Sequence, residues 1–234
     1  MSLLSEYDAR TGEWKYKPIE GFDTHENLPN KVNADGSYAP FFGCTVVFIA
    51  DEQCVSAVEK MQASLYGEVG DMLASPLPVS SFHMTLHDLI SPEKCLSDPS
   101  DAESYSREVE ESLDKAKRLV EEIKNKYAGK QVTMEADRVV NMMRKSLVLM
   151  LRPHSEEDYQ LLLDMYRPFN SIVNLDYPLT PHITLAYYRP GMIDGGRLGA
   201  AVERIQIQES HAALFVFRTE ALTAQFFRDM KTYL

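Results

Sequence analysis

Apolar and polar positions alternate along this chain in blocks that read as alternating strands and helices. Residues 43–50, Gly-Cys-Thr-Val-Val-Phe-Ile-Ala, are a short apolar run rich in β-branched side chains, the pattern of a buried strand. Asp51 is placed to cap a helix in which Val55, Val58, Met61 and Leu65 recur at spacings of three and four, ending near Gly67. A loop with Pro76 and Pro78 leads to a strand at about 81–90. Ser100 and Glu103 match a capping box. The stripe Tyr105, Val109, Leu113, Ala116, Val120, Ile123 and Tyr127 then predicts a long helix that stops at Gly129, with its charges on a solvated outer face. Residues 131–142 and 146–151 read as two strands joined by a turn over 141–145. Ser155, followed by Glu156, Glu157 and Asp158, starts a helix that Pro168 ends. A strand at about 181–188 follows. After it come a glycine-rich loop over 191–199 with one helical turn, closing strands at 202–208 and 212–219, and a final turn or helix carrying Leu222, Phe226, Phe227 and Met230.

Residues 1–40 read as an irregular extension, with turn signals at 8–12 and at Asn33-Ala34-Asp35-Gly36. Its aromatic residues Trp14, Tyr16, Phe22 and Tyr38 predict that it packs on the body. Residues 41–234 then form a single bilobal domain. Within it, strand 43–50, helix 52–66 and strand 81–90 make one unit. Strand 146–152, helix 156–167 and strand 181–188 make another of the same order. The expected fold class is α+β: duplicated strand-helix-strand units with pseudo-twofold symmetry, mostly antiparallel sheets around a central cleft, and helices outside.

The two units share one motif. Ser81-Phe82-His83-Met84-Thr85-Leu86-His87 and Thr180-Pro181-His182-Ile183-Thr184-Leu185-Ala186 both contain His-x-Thr-Leu with an apolar x. Alternate side chains of a strand share a face. His83 therefore goes with Thr85, and by the same count with His87, while His182 goes with Thr184. Two such strands side by side would surround one small anion with two imidazoles and two hydroxyls. A lone histidine in a strand is usually a satisfied structural residue, and threonine is common in strands. The repetition at equivalent places is what points to chemistry.

Charge narrows the partner. With 35 acidic against 24 basic residues the net charge is -11, which disfavours a grip on long nucleic acid but allows a small nucleotide in a local pocket. Cys44, Cys54 and Cys95 show no metal spacing, and no signal peptide or membrane-length apolar run is evident, so a cytoplasmic location and a monomer are the expectations.

The paired motifs resemble those of the two-histidine (2H) phosphoesterase superfamily, over roughly residues 43–219. That superfamily includes RNA 2′,3′-cyclic phosphodiesterases, the bacterial enzymes first called 2′-5′ RNA ligases, and cyclic nucleotide phosphodiesterases. The resemblance implies a metal-independent phosphodiesterase with no cofactor. It would open a 2′,3′-cyclic nucleotide or RNA end, or cleave a small nucleotide-type phosphodiester, leaving the phosphate at the 2′ position. His83 and His182 would be acid and base in either order, and Thr85 and Thr184 would hold the phosphate oxygens. His87, Tyr187, Tyr188 and Arg189 are candidate substrate contacts. A tyrosine there could stack on a base and the arginine could hold a phosphate, with packing and surface charge as the plain alternatives.

Three rival functions remain. A module that only binds AMP or a cyclic nucleotide would need no pair of titratable groups. A 2′-5′ ligase or oligonucleotide phosphodiesterase would use the same site. A zinc hydrolase could use His83 and His87 at i, i+4, but Met84 stands where the catalytic glutamate should be and the pattern is strand-like.

Overall fold

The computed structural model describes residues 2–11, 21–209 and 213–234. Trp14, Tyr16 and His211 lie outside them. In chain order the elements are α1 (Leu3–Thr11), β1 (Phe22–Asp23), β2 (Gly43–Ile49), α2 (Glu52–Val69), β3 (His83–Asp88), α3 (Ala102–Lys126), β4 (Gln131–Met142) and β5 (Ser146–Pro153). They continue with α4 (Glu156–Tyr166), β6 (His182–Tyr187), β7 (Met192–Ile193), α5 (Gly195–Glu209), β8 (Leu214–Arg218), β9 (Leu222–Asp229) and β10 (Thr232–Tyr233). The class is α+β. Two antiparallel four-stranded sheets have the orders β10-β9-β2-β3 and β6-β5-β4-β8. β9 and β2 are the inner strands of the first and β5 and β4 those of the second, and β3 and β6 are edges that approach each other.

The local signals act as expected at several places. The Asp51 carboxylate accepts from the Cys54 N–H and starts α2, and the Ser155 hydroxyl accepts from the Asp158 N–H and starts α4. β2 and β5 are continuous apolar runs because both of their faces are buried. Gly129, at φ +72°, ends the turn after α3. The 33–36 turn forms, with Gly36 at φ +86° donating its N–H to Asn33 O. Buried apolar residues of both sheets make one continuous cluster, with Phe48 of one against Phe217 of the other at 5.9 Å. α2 leaves its own sheet and packs on α5 and β6. From there the buried Gln62 donates Nε2–H to Leu185 O at 3.0 Å. The two units are therefore interlocked.

Elsewhere tertiary contacts override the sequence reading. The expected strand 202–208 is part of α5, which also takes in most of the expected loop 191–199. Leu198, Ala201, Val202 and Ile205 are buried at helical spacing, Asp194 accepts the Arg197 N–H, and Arg197 and Arg204 pair with Asp71 and Glu68 of the α2 region. The expected final turn or helix is instead the strand pair β9 and β10. β9 pairs along β2 from Gly43↔Phe227 to Phe48↔Leu222. α3 is capped by Asp101, which accepts from the Ser104 N–H, one residue later than the capping box predicts. The extension is not irregular throughout: α1 is a helix docked on α4, with Leu3 and Leu4 N–H on the Glu156 carboxylate and Tyr7 O–H donating to Leu151 O at 2.6 Å. Among the described residues no helix is long and apolar enough to cross a membrane.

Candidate active site

The two motif strands are presented in matching register. Along β3, Ile49 pairs with His83, Phe48 with Met84 and Val47 with Thr85; the ladder then slips, and Val46 pairs with His87. Along β6, Met150 pairs with His182, Leu149 with Ile183 and Val148 with Thr184; the same slip follows, and Leu147 pairs with Ala186. Leu86 and Leu185 are thus each the extra residue of a β-bulge. A bulge re-aims the side chains beyond it. Burial follows suit: His83, Thr85, His182 and Thr184 are half-buried, Met84, Leu86, Ile183 and Leu185 are buried, and so are the next residues, His87 and Ala186.

Each catalytic candidate is anchored in the same way. His83 Nδ1 lies 2.7 Å from Ser81 O and His182 Nδ1 lies 2.8 Å from Thr180 O. A carbonyl oxygen only accepts, so Nδ1 carries the hydrogen and donates. In the neutral ring that leaves the Nε2 lone pair of each histidine as the reactive atom. Burial lowers the His83 pKa to about 4, and the nearby charge of His182 adds to the lowering, against the Ser81 hydrogen bond and the Asp88 charge. Burial also lowers that of His182, opposed by the Thr180 hydrogen bond and by Asp88. Both rings are neutral at rest at pH 7.

The other candidates separate. His87 does not share the face of His83 and Thr85, because the bulge turns it inward. It is 1 % exposed, its ring packs on Tyr166 and Phe169, Nδ1–H donates to Asp88 O at 2.7 Å, and Nε2 lies 3.0 Å from the Asn170 side-chain amide. With His87 turned inward and engaged at both ring nitrogens, His83 and His87 cannot jointly ligate a metal. Tyr188 is buried against Phe22 in the core, so it cannot stack on a base. Arg189 is exposed and donates to Asp35 O at 2.8 Å, tying β6 to the 33–36 turn. Tyr187 is half-buried next to Thr184, with its O–H on Met230 Sδ at 3.2 Å and its ring edge-on to Tyr38. Among the described residues no group of three or more His, Cys, Asp and Glu side chains is placed to hold a metal ion.

Two residues at the site escape the sequence reading. Asp88 is the pseudo-twofold counterpart of Tyr187, since Thr45 pairs with Asp88 as Ser146 pairs with Tyr187. Its Oδ2 accepts from Tyr177 O–H at 2.6 Å, and its charge reaches both histidines. Tyr233 of β10 stands edge-on to His83, ring centroids 4.6 Å apart, and supplies part of the cover that keeps that ring dry. The i, i+5 spacing from His83 gives Asp88 no strand-face signal, and nothing in the sequence links residue 233 to residue 83.

No protein-family model matches this sequence. No curated protein matches it. Among solved structures, the chain is similar to ATU0111 of Agrobacterium tumefaciens, a conserved protein of unknown function, at TM-score 0.59 and 17% identity, covering 91% of each chain. This likeness is one of fold. It aligns more loosely with E. coli LigT, at TM-score 0.40, 15% identity and 65% of this chain against 74% of LigT in the apo form, and at 0.41, 14%, 64% and 74% in the complex with 3'-AMP.

Proposed function

We propose that this chain is a phosphodiesterase that opens a cyclic phosphate on a small nucleotide or RNA end by acid–base catalysis with two histidines. The observation that carries the reading is the matched presentation of His83 and His182. They share register position, the Nδ1–H anchor that frees Nε2, and a threonine two residues on. A structural histidine satisfies both of its nitrogens, as His87 does; these two, among the described residues, leave one unused on a half-buried face.

In this scheme His83 is the base and His182 the acid. Burial and the His182 charge both keep His83 unprotonated, so the one proton that the reaction needs goes to His182. The negative charge of an arriving phosphodiester favours that proton on His182. His83 Nε2 takes a proton from water as its oxygen bonds to phosphorus, the bond from phosphorus to the 3′ oxygen breaks, and His182 Nε2–H protonates that oxygen. The product is a 2′-phosphate monoester, and the histidines exchange roles to reset. Thr85 and Thr184 hydroxyls donate to the non-bridging oxygens as charge builds there. The net charge of -11 fits a small substrate better than long RNA.

The test is hydrolysis of 2′,3′-cyclic AMP, with EDTA present, by wild type, His83→Ala and His182→Ala. Turnover that survives EDTA and collapses in each variant supports the reading. Binding without turnover would replace it with a nucleotide-binding module.

A further inference from the structure

A cluster of charges near the two histidines is not used by this chemistry. Glu93 receives two amines: Lys31 Nζ lies 3.5 Å from Oε2, and Lys145 Nζ lies 3.3 and 3.2 Å from Oε1 and Oε2. The two lysine side chains are only 18% and 13% exposed. Lys31 Nζ also sits 4.6 Å above the Phe41 ring. Burial lowers the Lys31 pKa and Lys145 adds to the lowering, while Glu93 and Asp88 oppose it. Lys94 joins through the Tyr177 hydroxyl, which it contacts at 2.9 Å and which donates to Asp88. Lys31 and Lys145 thus share the single carboxylate of Glu93, in a chain whose net charge is -11. A surplus of partly dehydrated positive charge is costly without an anion.

The place of the cluster ties it to the histidines. Asp88 is within electrostatic reach of Lys31 as well as of His83 and His182. Lys145 directly precedes Ser146, the cross-strand partner of Tyr187. It follows Met143 and Arg144, two non-glycine residues at φ 52° and 56°. That left-handed turn is pinned by Asn141 Oδ1 accepting the Arg144 N–H and by Arg144 O accepting the His25 N–H. A costly backbone held by several contacts gives Lys145 a defined position. A chain of packed rings, buried at Phe41 and Phe227, joins the lysines to His83: Phe41 on Phe227 at 6.3 Å, Phe227 on Tyr233 at 5.7 Å, and Tyr233 on His83.

We infer that Lys31 and Lys145 form a second anion subsite, which takes a phosphate of the substrate other than the scissile one, with Glu93 holding the amines until that phosphate arrives. The inference rests on the phosphodiesterase reading and narrows it: the substrate is a nucleotide with a second phosphate.

The test compares binding of adenosine 2′-monophosphate and adenosine 2′,5′-bisphosphate by titration calorimetry. The wild type is expected to prefer the bisphosphate by about tenfold or more, as charge-assisted hydrogen bonds supply. The preference should collapse towards one in Lys145→Met and grow in Glu93→Gln, an increase that a folding defect cannot mimic. A wild-type ratio near one, or a ratio unchanged in both variants, overturns the subsite. If the ratios behave as expected but the wild type does not hydrolyse 2′,3′-cyclic AMP or its 5′-phosphorylated form, the subsite stands as an anion site and the diesterase reading falls.

Discussion

Leu86 and Leu185 are the extra residues of two β-bulges at the same point of β3 and β6, each directly after a His-x-Thr triplet. Each bulge sends the following residue into the core and the one after it back towards the shared face. His87 and Ala186 therefore pack inside, and Asp88 and Tyr187 join the histidines and threonines.

One consequence concerns His87. Replacing it with Ala removes two hydrogen bonds and the packing on Tyr166 and Phe169. The expected cost is about 2–4 kcal/mol of stability, read by urea denaturation. The protein that remains folded should keep its kcat/KM. A stable variant with a lost kcat would put His87 back at the substrate.

Thr85→Ala and Thr184→Ala should each lower kcat by about 10²–10³, the loss typical of one oxyanion donor. Steady-state kinetics on 2′,3′-cyclic AMP decides this. Rates untouched in both variants would remove the threonines from the phosphate site.

Assigning His182 as the acid makes a separable claim. A phosphodiester with a p-nitrophenolate leaving group needs little protonation as it departs. On that substrate His182→Ala should lose at least about tenfold less rate than on the cyclic nucleotide, whereas His83→Ala should lose as much on both. The reverse pattern would exchange the two roles.

The lowered pKa values fix the pH response. The free enzyme needs His182 protonated and His83 neutral, and burial holds both below the ordinary 6.5. Activity as kcat/KM should therefore be bell-shaped, with its alkaline limb below pH 6.5. Stability follows the same proton. The unfolded His83 binds it below 6.5, but the folded ring refuses it until about 4. Stability should thus be fully present above pH 6.5 and fall between 6.5 and 4, by on the order of 3 kcal/mol from His83, with His182 acting in the same direction. Denaturation midpoints measured across that range test the sign. Tyr233→Ala, which uncovers His83, should move its titration, followed by NMR, back towards 6.5.

Gly43 begins β2 with no room for a side chain. A Cβ there would stand 2.1 Å from Ile90 O and 2.8 Å from Phe227 Cζ. Gly43→Ala should cost at least about 1–3 kcal/mol, because the Ile90 carbonyl is backbone and cannot swing aside. Thermal or urea unfolding checks it. An unchanged midpoint would mean that β2 and the Ile90 loop can separate freely.

Much of this molecule is local and was therefore written in the sequence. The caps at Asp51 and Ser155 act within three residues, and the two-sided burial of β2 and β5 shows as unbroken apolar runs. The order strand, helix, motif strand, repeated about a hundred residues apart, was visible, and with it the histidine–threonine pairs. What the chain could not announce by itself was whatever depends on a distant partner. Leu222, Phe226 and Met230 have helical spacing, yet β9 is a strand because β2 offers it a full ladder of hydrogen bonds. Residues 202–208 alternate like a strand, yet they are helical because α2 supplies an apolar face, and α2 and the turn after it supply the acids for Arg204 and Arg197. The two bulges are slips of one strand against another, so they have no signature in either strand alone. They moved His87 from the site to the core and brought Asp88 out. Only the assembled sheets could place Tyr233 on His83 and gather Lys31 and Lys145 on Glu93. Pairing and packing energies arise between segments, and no single segment carries them.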